Sequence, residues 1–326
     1  MRVAKYFAMV LAGTSLSGVY ANDVPQVAAS VAAAPEAVEA GRFGTDVFVK
    51  KANMQQPRLS PDGKKLSYMM NDKGRAVLVW LDLETPGAKP KVVMAGEDSR
   101  ESGDRSVESH RWVGNKHIVV TISMFEDLGD GPGSFTRIVG YDIETGKIEQ
   151  LAWAGSGGSA SDIQHINHDT GDIVLSRQIV NVSNERLDNP QVVSVNVNTG
   201  KVSILQNPNP EVNGWSIDGA GVVRSGGRYN GNSGRQKVLY RSNPKENLVT
   251  VYDEVIDFTG GAPEPQLFVP GTDMAYALSR KSGYTRVYKM NMKTGELGEP
   301  LFQTEGFDID SIVPNKDRTG IDGYVT

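Results

Sequence analysis

The sequence of 326 residues contains no cysteine, which excludes disulfide bonds as a source of stability. It also lacks any long run of like charge, because 34 basic residues are spread among 39 acidic ones. This distribution argues against nucleic acid or an anionic membrane as a partner. From Pro57 onward, no window carries apolar residues at helical spacing over three turns. We therefore expect a chain of strands that is held together by packing alone.

Long apolar runs are also missing, apart from one at the N-terminus. Residues 1–21 carry Arg2 and Lys5, then a mostly apolar run, then Val19 and Ala21 at the positions that a signal peptidase inspects. The run is too short for a membrane-spanning helix, which needs about 20 apolar residues. We predict that residues 1–21 are a signal peptide, that residues 22–42 are a flexible tether, and that the protein is periplasmic or secreted.

The chain contains many predicted tight turns, which recur with a period of about fifty residues. The first turn of each period lies at residues 59–63, 112–115, 167–171, 217–219, 269–273 and 313–317. A second turn follows at residues 82–85, 142–146, 196–200, 242–244 and 291–295. Each turn is rich in Asp, Asn, Gly or Pro and lies between short apolar runs, as in a hairpin.

Two hairpins per period make a four-stranded unit, which is typical of a β-propeller blade. A β-sandwich is the alternative, but it gives no reason for the same two turns to alternate in the same order. We predict an all-β fold over residues 43–326: a β-propeller of four-stranded antiparallel blades, five complete plus a partial sixth. Because an open ring exposes sheet edges, the propeller is expected to be incomplete at its C-terminal end.

The predicted strands of the second blade are residues 110–113, 117–123, 137–142 and 147–151. The longer connections all emerge on one face of such a meander. They are residues 99–109, 124–135, 181–190, 226–234 and 253–265. Functional residues concentrate in long loops, so this face is the predicted working surface.

The sequence Leu-Ser-Pro-Asp-Gly-Lys-Lys-Leu-Ser-Tyr at residues 59–68 follows the export signal and tether. It resembles the first propeller blade of exported bacterial serine peptidases of the prolyl oligopeptidase family, such as dipeptidyl and acylaminoacyl peptidases. The Ser-Pro-Asp-Gly turn also occurs in other propellers, including those similar to the TolB translocation protein. The resemblance implies a propeller that precedes an α/β-hydrolase domain with a Ser, Asp and His triad and restricts which peptides reach it.

No Gly-x-Ser-x-Gly nucleophile elbow is present in this sequence. The nearest sequences, at residues 155–159 and 231–234, lie in predicted loops. We therefore assign no catalytic, cofactor-binding or metal-binding residue and expect the chain to be inactive alone. The predicted function is substrate gating, with a missing α/β-hydrolase domain and a peptide as partners. The alternative is a stand-alone TolB-like propeller that serves as a protein or ligand binding scaffold.

Two clusters contain side chains that could bind a metal ion. His165 and His168 lie close to Asp169 and Asp172, but a strand followed by a turn is expected to point the two imidazoles apart, which favours ordinary turn polarity.

A second cluster has only carboxylates. Glu126, Asp127 and Asp130 lie in a predicted Gly-rich loop, where a solvated loop is favoured over a calcium site.

Two further sets have aromatic or cationic side chains. The four tryptophans could form a ligand cage or pack between blades, and their scatter over three blades favours packing: Trp80, Trp112, Trp153 and Trp215. Three arginines flank or enter the predicted loop at residues 226–234, where an anion contact competes with a mobile surface loop: Arg224, Arg228 and Arg235.

Overall fold

A computed structural model describes residues 53–97, 101, 103–127, 132–180, 189–256, 261–302, 304–315 and 317–326. The predicted signal peptide and tether, at residues 1–21 and 22–42, lie outside these described residues. So does the part of the predicted propeller that precedes residue 53. Among the described residues, no helix is long and apolar enough to cross a membrane.

Five four-stranded antiparallel sheets and one two-stranded sheet follow one another along the chain. The first two blades contain β1 (Gln55–Leu59), β2 (Lys65–Asp72), β3 (Arg75–Asp82), β4 (Lys91–Ala95), β5 (Arg105–Val113), β6 (His117–Asp127), β7 (Pro132–Asp142) and β8 (Ile148–Leu151). The third and fourth contain β9 (Asp162–Asn167), β10 (Asp172–Arg177), β11 (Gln191–Asn196), β12 (Val202–Gln206), β13 (Gly214–Ile217), β14 (Val223–Asn230), β15 (Arg235–Tyr240) and β16 (Val249–Val255). The fifth blade and the final hairpin contain β17 (Glu264–Phe268), β18 (Met274–Ser282), β19 (Tyr284–Asn291), β20 (Leu297–Phe302), β21 (Ser311–Pro314) and β22 (Ile321–Val325).

This arrangement confirms the predicted propeller of five complete blades and a partial sixth. The turn between β1 and β2 shows why the sequence pattern was informative. The Asp62 side chain accepts a hydrogen bond from the backbone N–H of Lys64 at 3.1 Å, and Gly63 adopts a φ of 72°. An Asx-type contact followed by a residue with positive φ is what Asp-Gly supplies most easily.

Two of the predicted long connections are wrong, because the structure continues the strands through them. In the second blade, β6 and β7 extend to the pair Asp127 and Pro132, where residues 124–135 were predicted as a loop. In the fourth blade, β14 and β15 pair as far as Asn230 and Arg235, which leaves only a short turn within residues 226–234. Cross-strand pairing supplies the backbone partners that glycine-rich sequence alone does not reveal.

The hydrophobic cores lie between successive blades. Ile118 and Val120 of β6 pack in a cluster with side chains of the first blade, whereas Val119 packs in a cluster with the third. Tyr240 likewise joins the fourth blade to Phe268 of the fifth. Successive residues of a strand point to opposite faces, so one strand contributes to two interfaces. The second to fifth blades are therefore each stabilised by two neighbours.

The first strands of the blades lie closest to the axis of the propeller. Contacts between successive blades run from β1 to β5, from β9 to β13, from β13 to β17 and from β17 to β21. Because these first strands approach one another across blade boundaries, they form the hub. The turns between the first and second strands consequently surround one end of that hub.

Candidate ligand-binding site at the hub of the propeller

A cavity of about 1040 Å³ opens at the end of the hub where the first and second strands are joined. The first strands of blades one to three line it with Arg58, Arg111 and His165. The turn of the fourth blade contributes Ala220, and the turn of the final hairpin contributes Asp317. Sites for small ligands span roughly 300–1,000 Å³, so this hub cavity has room for a short peptide but not for a folded protein.

Hydrogen bonds between blades fix the two arginines at this cavity. The indole Nε1 of buried Trp112 donates to the carbonyl oxygen of Arg58 at 3.2 Å, which ties β5 to β1. The guanidinium of Arg111 donates to the carbonyl oxygen of Ile163 at 3.3 Å, which ties β5 to β9. The backbone of Arg58 and the guanidinium of Arg111 are therefore each held by a contact with a neighbouring blade.

The turns around the cavity are also linked from one blade to the next. The backbone N–H of Asp62 donates to the side-chain oxygen of Asn115 at 3.1 Å. In the following pair of turns, the backbone N–H of Gly114 donates to Nδ1 of His168 at 3.2 Å. These two contacts join the turns of the first, second and third blades around the cavity.

Two positive charges, those of Arg58 and Arg111, lie near each other on neighbouring first strands. Partial desolvation at the cavity wall and then the nearby Arg58 lower the pKa of Arg111, while Asp162 opposes this effect. Burial also lowers the pKa of His165, followed by repulsion from Arg318. A bound anion would relieve the repulsion between Arg58 and Arg111.

His165 and His168 point apart as predicted, because Nδ1 of His168 contacts Gly114 of the second blade while the His165 ring lies beside Gly221 of the fourth blade. No group of three His, Cys, Asp or Glu side chains in the described parts of the chain is placed to hold a metal ion. Glu126 belongs to the β6–β7 hairpin, opposite Gly133. Asp130 lies outside the described residues, so the calcium hypothesis for this segment stays untested.

The packing role predicted for the tryptophans is confirmed. Trp80, Trp112 and Trp215 are buried in the cores between blades, and Trp153 packs at the edge of one. The indole of Trp215 donates to the carbonyl oxygen of Pro190 at 2.8 Å, which joins the fourth blade to the third.

The three arginines near residues 226–234 make structural contacts. Arg224 is buried, lies 3.1 Å from the Asp218 carboxylate and hydrogen-bonds to the Tyr240 hydroxyl. Arg228 donates to Asn189 at 3.3 Å, and Arg235 pairs with Asp253 at 2.5 Å. Because these groups already have protein partners, the structure gives no support to an anion contact there.

The nearest sequence to a nucleophile elbow is also structural. Ser156 is buried, and its hydroxyl donates to the carbonyl oxygen of Ala152 at 2.7 Å. The same hydroxyl accepts a hydrogen bond from Arg177 at 3.3 Å. No histidine is among its hydrogen-bond partners in the described part of the chain, so Ser156 lacks the general base that a catalytic serine needs.

Sequence reasoning missed Arg58, Arg111 and Asp317 as residues of one site. Both arginines stand within the last three residues of a first strand, immediately before a predicted turn. That shared position was a usable signal. Asp317 gave no such signal, because it reaches the hub cavity only through the position of the final hairpin beside the other blades.

Comparisons with known proteins show the fold. No protein-family model matches the chain, and no curated protein matches it. The chain is similar to Oligopeptidase B from Leishmania major, with 13% identity, a TM-score of 0.50 and coverage of 80% of this chain and 36% of the other.

Two other solved structures are similar at lower scores. An acylaminoacyl peptidase in complex with Z-Gly-Gly-Phe-chloromethyl ketone has 17% identity, a TM-score of 0.47 and coverage of 80% and 40%. The β-propeller domain of the Trilobed protease from Pyrococcus furiosus has 16% identity, a TM-score of 0.46 and coverage of 80% and 73%. The chain thus spans well under half of the first two peptidases. The predicted resemblance to peptidase propellers is confirmed at the level of the fold.

Proposed function

We propose that this β-propeller is the substrate-gating portion of a serine peptidase of the prolyl oligopeptidase family. In this proposal it controls which peptides reach an α/β-hydrolase catalytic domain. The observation that carries the proposal is the hub cavity, whose volume of about 1040 Å³ suits a short peptide. The turn sequence at residues 59–63 and the fold shared with Oligopeptidase B support the same assignment.

Export is part of the proposal. The charged start, the apolar run and the residues Val19 and Ala21 support cleavage after residue 21 and a periplasmic or secreted location. Such a peptidase would act on peptides outside the cytoplasm. A small entrance would protect folded proteins in the same compartment, because they cannot present a chain end to the catalytic domain.

The isolated chain should not hydrolyse peptides. No nucleophile elbow occurs in its sequence, and Ser156 is held by Ala152 and Arg177 rather than by a base. A fluorophosphonate probe, which reacts with activated serines, should therefore leave the 326-residue chain unlabelled. Stoichiometric labelling of this chain would contradict the assignment of gating without catalysis.

The complete reading frame that encodes these residues provides the direct test. Its product should react with the fluorophosphonate probe and should cleave short peptides much faster than a folded protein substrate. Substituting Ala220→Trp narrows the hub cavity and should lower kcat/KM for longer peptides, while the small probe reacts as before. Ala88→Trp is the matched control, because Ala88 lies in a turn on the same face but does not line the cavity.

A product that shows no probe labelling would contradict the proposal and favour the stand-alone binding scaffold. Equal loss of activity in both tryptophan variants would also contradict it, since only one of them narrows the entrance.

A further inference from the structure

The hub cavity contains two cations that form no ion pair within 4.0 Å with a described residue, although Asp162 interacts electrostatically with Arg111. Arg58 and Arg111 are exposed on neighbouring first strands and line the same cavity. Among the described residues, the Arg58 guanidinium has no hydrogen bond or ion pair, and that of Arg111 reaches only the carbonyl oxygen of Ile163. Other exposed arginines of the fold do pair: Arg75 lies 3.5 Å from Asp72. The two cavity arginines are therefore available to a ligand.

Carboxylates line the cavity from other blades. Asp169 lies in the turn after β9, and Asp317 lies in the turn of the final hairpin. Within the described part of the chain, neither carboxylate forms an ion pair within 4.0 Å with Arg58 or Arg111 or with any other cation. Charges of both signs thus face one cavity from different blades without neutralising each other.

A ligand that suits this cavity carries one anionic end and one cationic end. A polyanion would meet Asp169 and Asp317, and a polycation would meet Arg58 and Arg111, so either would suffer repulsion at one part of the wall. A short peptide with free termini has a carboxylate at one end and an ammonium group at the other. Arginine is the side chain best suited to a carboxylate, because its planar donors match the two oxygens.

We propose that the hub cavity binds short peptides, with the C-terminal carboxylate at Arg58 and Arg111 and the amino terminus toward Asp169 and Asp317. The proposal deepens the gating function, on which it rests for the choice of a peptide as ligand. It makes the entrance selective for chain ends in addition to size. Internal segments of a folded protein lack both terminal charges and would be disfavoured for that reason too.

Calorimetric titration of the 326-residue chain with trialanine tests the proposal directly. Trialanine should bind, and its C-terminal amide should bind about tenfold or more weakly, because the amide lacks the negative charge that strengthens hydrogen bonds to the two arginines. N-acetyl-trialanine should also bind more weakly than trialanine, since acetylation removes the charge that faces the aspartates.

The variants Arg58→Gln and Arg111→Gln should each weaken trialanine binding by about tenfold, and in each the preference for the free acid over the amide should shrink, because one of the two arginines remains. Arg75→Gln is the matched control, because it removes the same charge from an exposed strand of the first blade outside the cavity. Its affinity for trialanine should equal that of the unmodified chain. Both cavity arginines are exposed, so Arg58→Gln should leave the melting temperature close to that of the control, and Arg111→Gln, which also loses the hydrogen bond to Ile163, should lower it only slightly.

The proposal is overturned if the amide binds as tightly as the free acid, if Arg75→Gln weakens binding as much as Arg58→Gln, or if trialanine does not bind. Unchanged affinity of the N-acetyl peptide would overturn the role of the aspartates. This titration needs no catalytic domain, so its failure is separate from that of the gating proposal. A full-length product that is labelled and size-selective would keep gating in place even if trialanine did not bind to the propeller.

Discussion

Acid should destabilise this protein through His110, which lies buried between the first two blades. The side chain is 1% exposed, and neither ring nitrogen makes a well-formed hydrogen bond to a described residue. Burial, followed by repulsion from Arg58, lowers the pKa of His110 from its ordinary value of 6.5 to about 4, and the carbonyl of Ser67 only partly offsets this. The folded chain therefore holds the imidazole neutral at pH values where the unfolded chain is protonated.

The sign and size of the effect follow from this difference in proton affinity. The contribution of neutral His110 to the unfolding free energy is fully present above pH 6.5. It is lost progressively as the pH falls toward 4, because only the unfolded state gains the proton in that range. A tenfold change in proton affinity corresponds to about 1.4 kcal/mol, so the complete loss is about 3 kcal/mol and the loss at pH 5 is about 2 kcal/mol.

Urea unfolding of the full chain, followed by tryptophan fluorescence at about pH 7.5 and about pH 5, measures this loss. The variants His110→Leu and His110→Gln cannot be protonated in this range. Relative to either variant, the unmodified chain should lose about 2 kcal/mol of unfolding free energy between the two pH values. Leucine and glutamine differ in polarity. If both variants show the same pH dependence, the extra loss in the unmodified chain comes from protonation of His110 and not from altered packing. If the difference in unfolding free energy between the unmodified chain and each variant is the same at both pH values, His110 does not cause the loss of stability in acid.

Two further predictions concern the fourth blade. Arg224→Met leaves the largely buried Asp218 carboxylate without its partner, so it should lower the unfolding free energy measured in urea by about 3–5 kcal/mol. Arg235→Met breaks an ion pair with Asp253 in which the arginine is exposed, and it should hardly change the melting temperature. If the two variants change the melting temperature by similar amounts, burial does not decide how much an ion pair contributes to stability. Gly226→Ala places a methyl group 2.7 Å from the Trp215 ring and should cost about 1–3 kcal/mol, while Gly227→Ala, with its nearest neighbour at 3.6 Å, should stay within about 1 kcal/mol. Equal melting temperatures for the two alanine variants would refute this packing argument.

The blade repeat could be predicted from sequence because its turns are determined locally. In the turn after β7, the Asp142 side chain accepts from the N–H of Glu144 at 2.8 Å, and Gly146 adopts a φ of 72°. The turn after β11 repeats this with Asn196 and Gly200, at a φ of 67°. Contacts that span two to four residues leave a mark in the sequence wherever they occur.

Contacts between blades leave no such mark. Asp62 reaches Asn115, and Gly114 reaches His168, across more than fifty residues. These pairings depend on the rotation between blades, which no local pattern encodes. The hub cavity is assembled by the same contacts, and this is why its charged residues could not be grouped in advance.

Loop length was the wrong guide to the cavity. Long connections were expected to form the working surface, but residues 124–135 and 226–234 turned out to be largely paired strands. The hub cavity lies on the opposite face, where the turns are short. Short turns bring the ends of the first strands close to the axis, so side chains such as Arg58 and Arg111 converge there without any loop to carry them. In a propeller, position relative to the axis decides which side chains can meet, and the length of a connection does not.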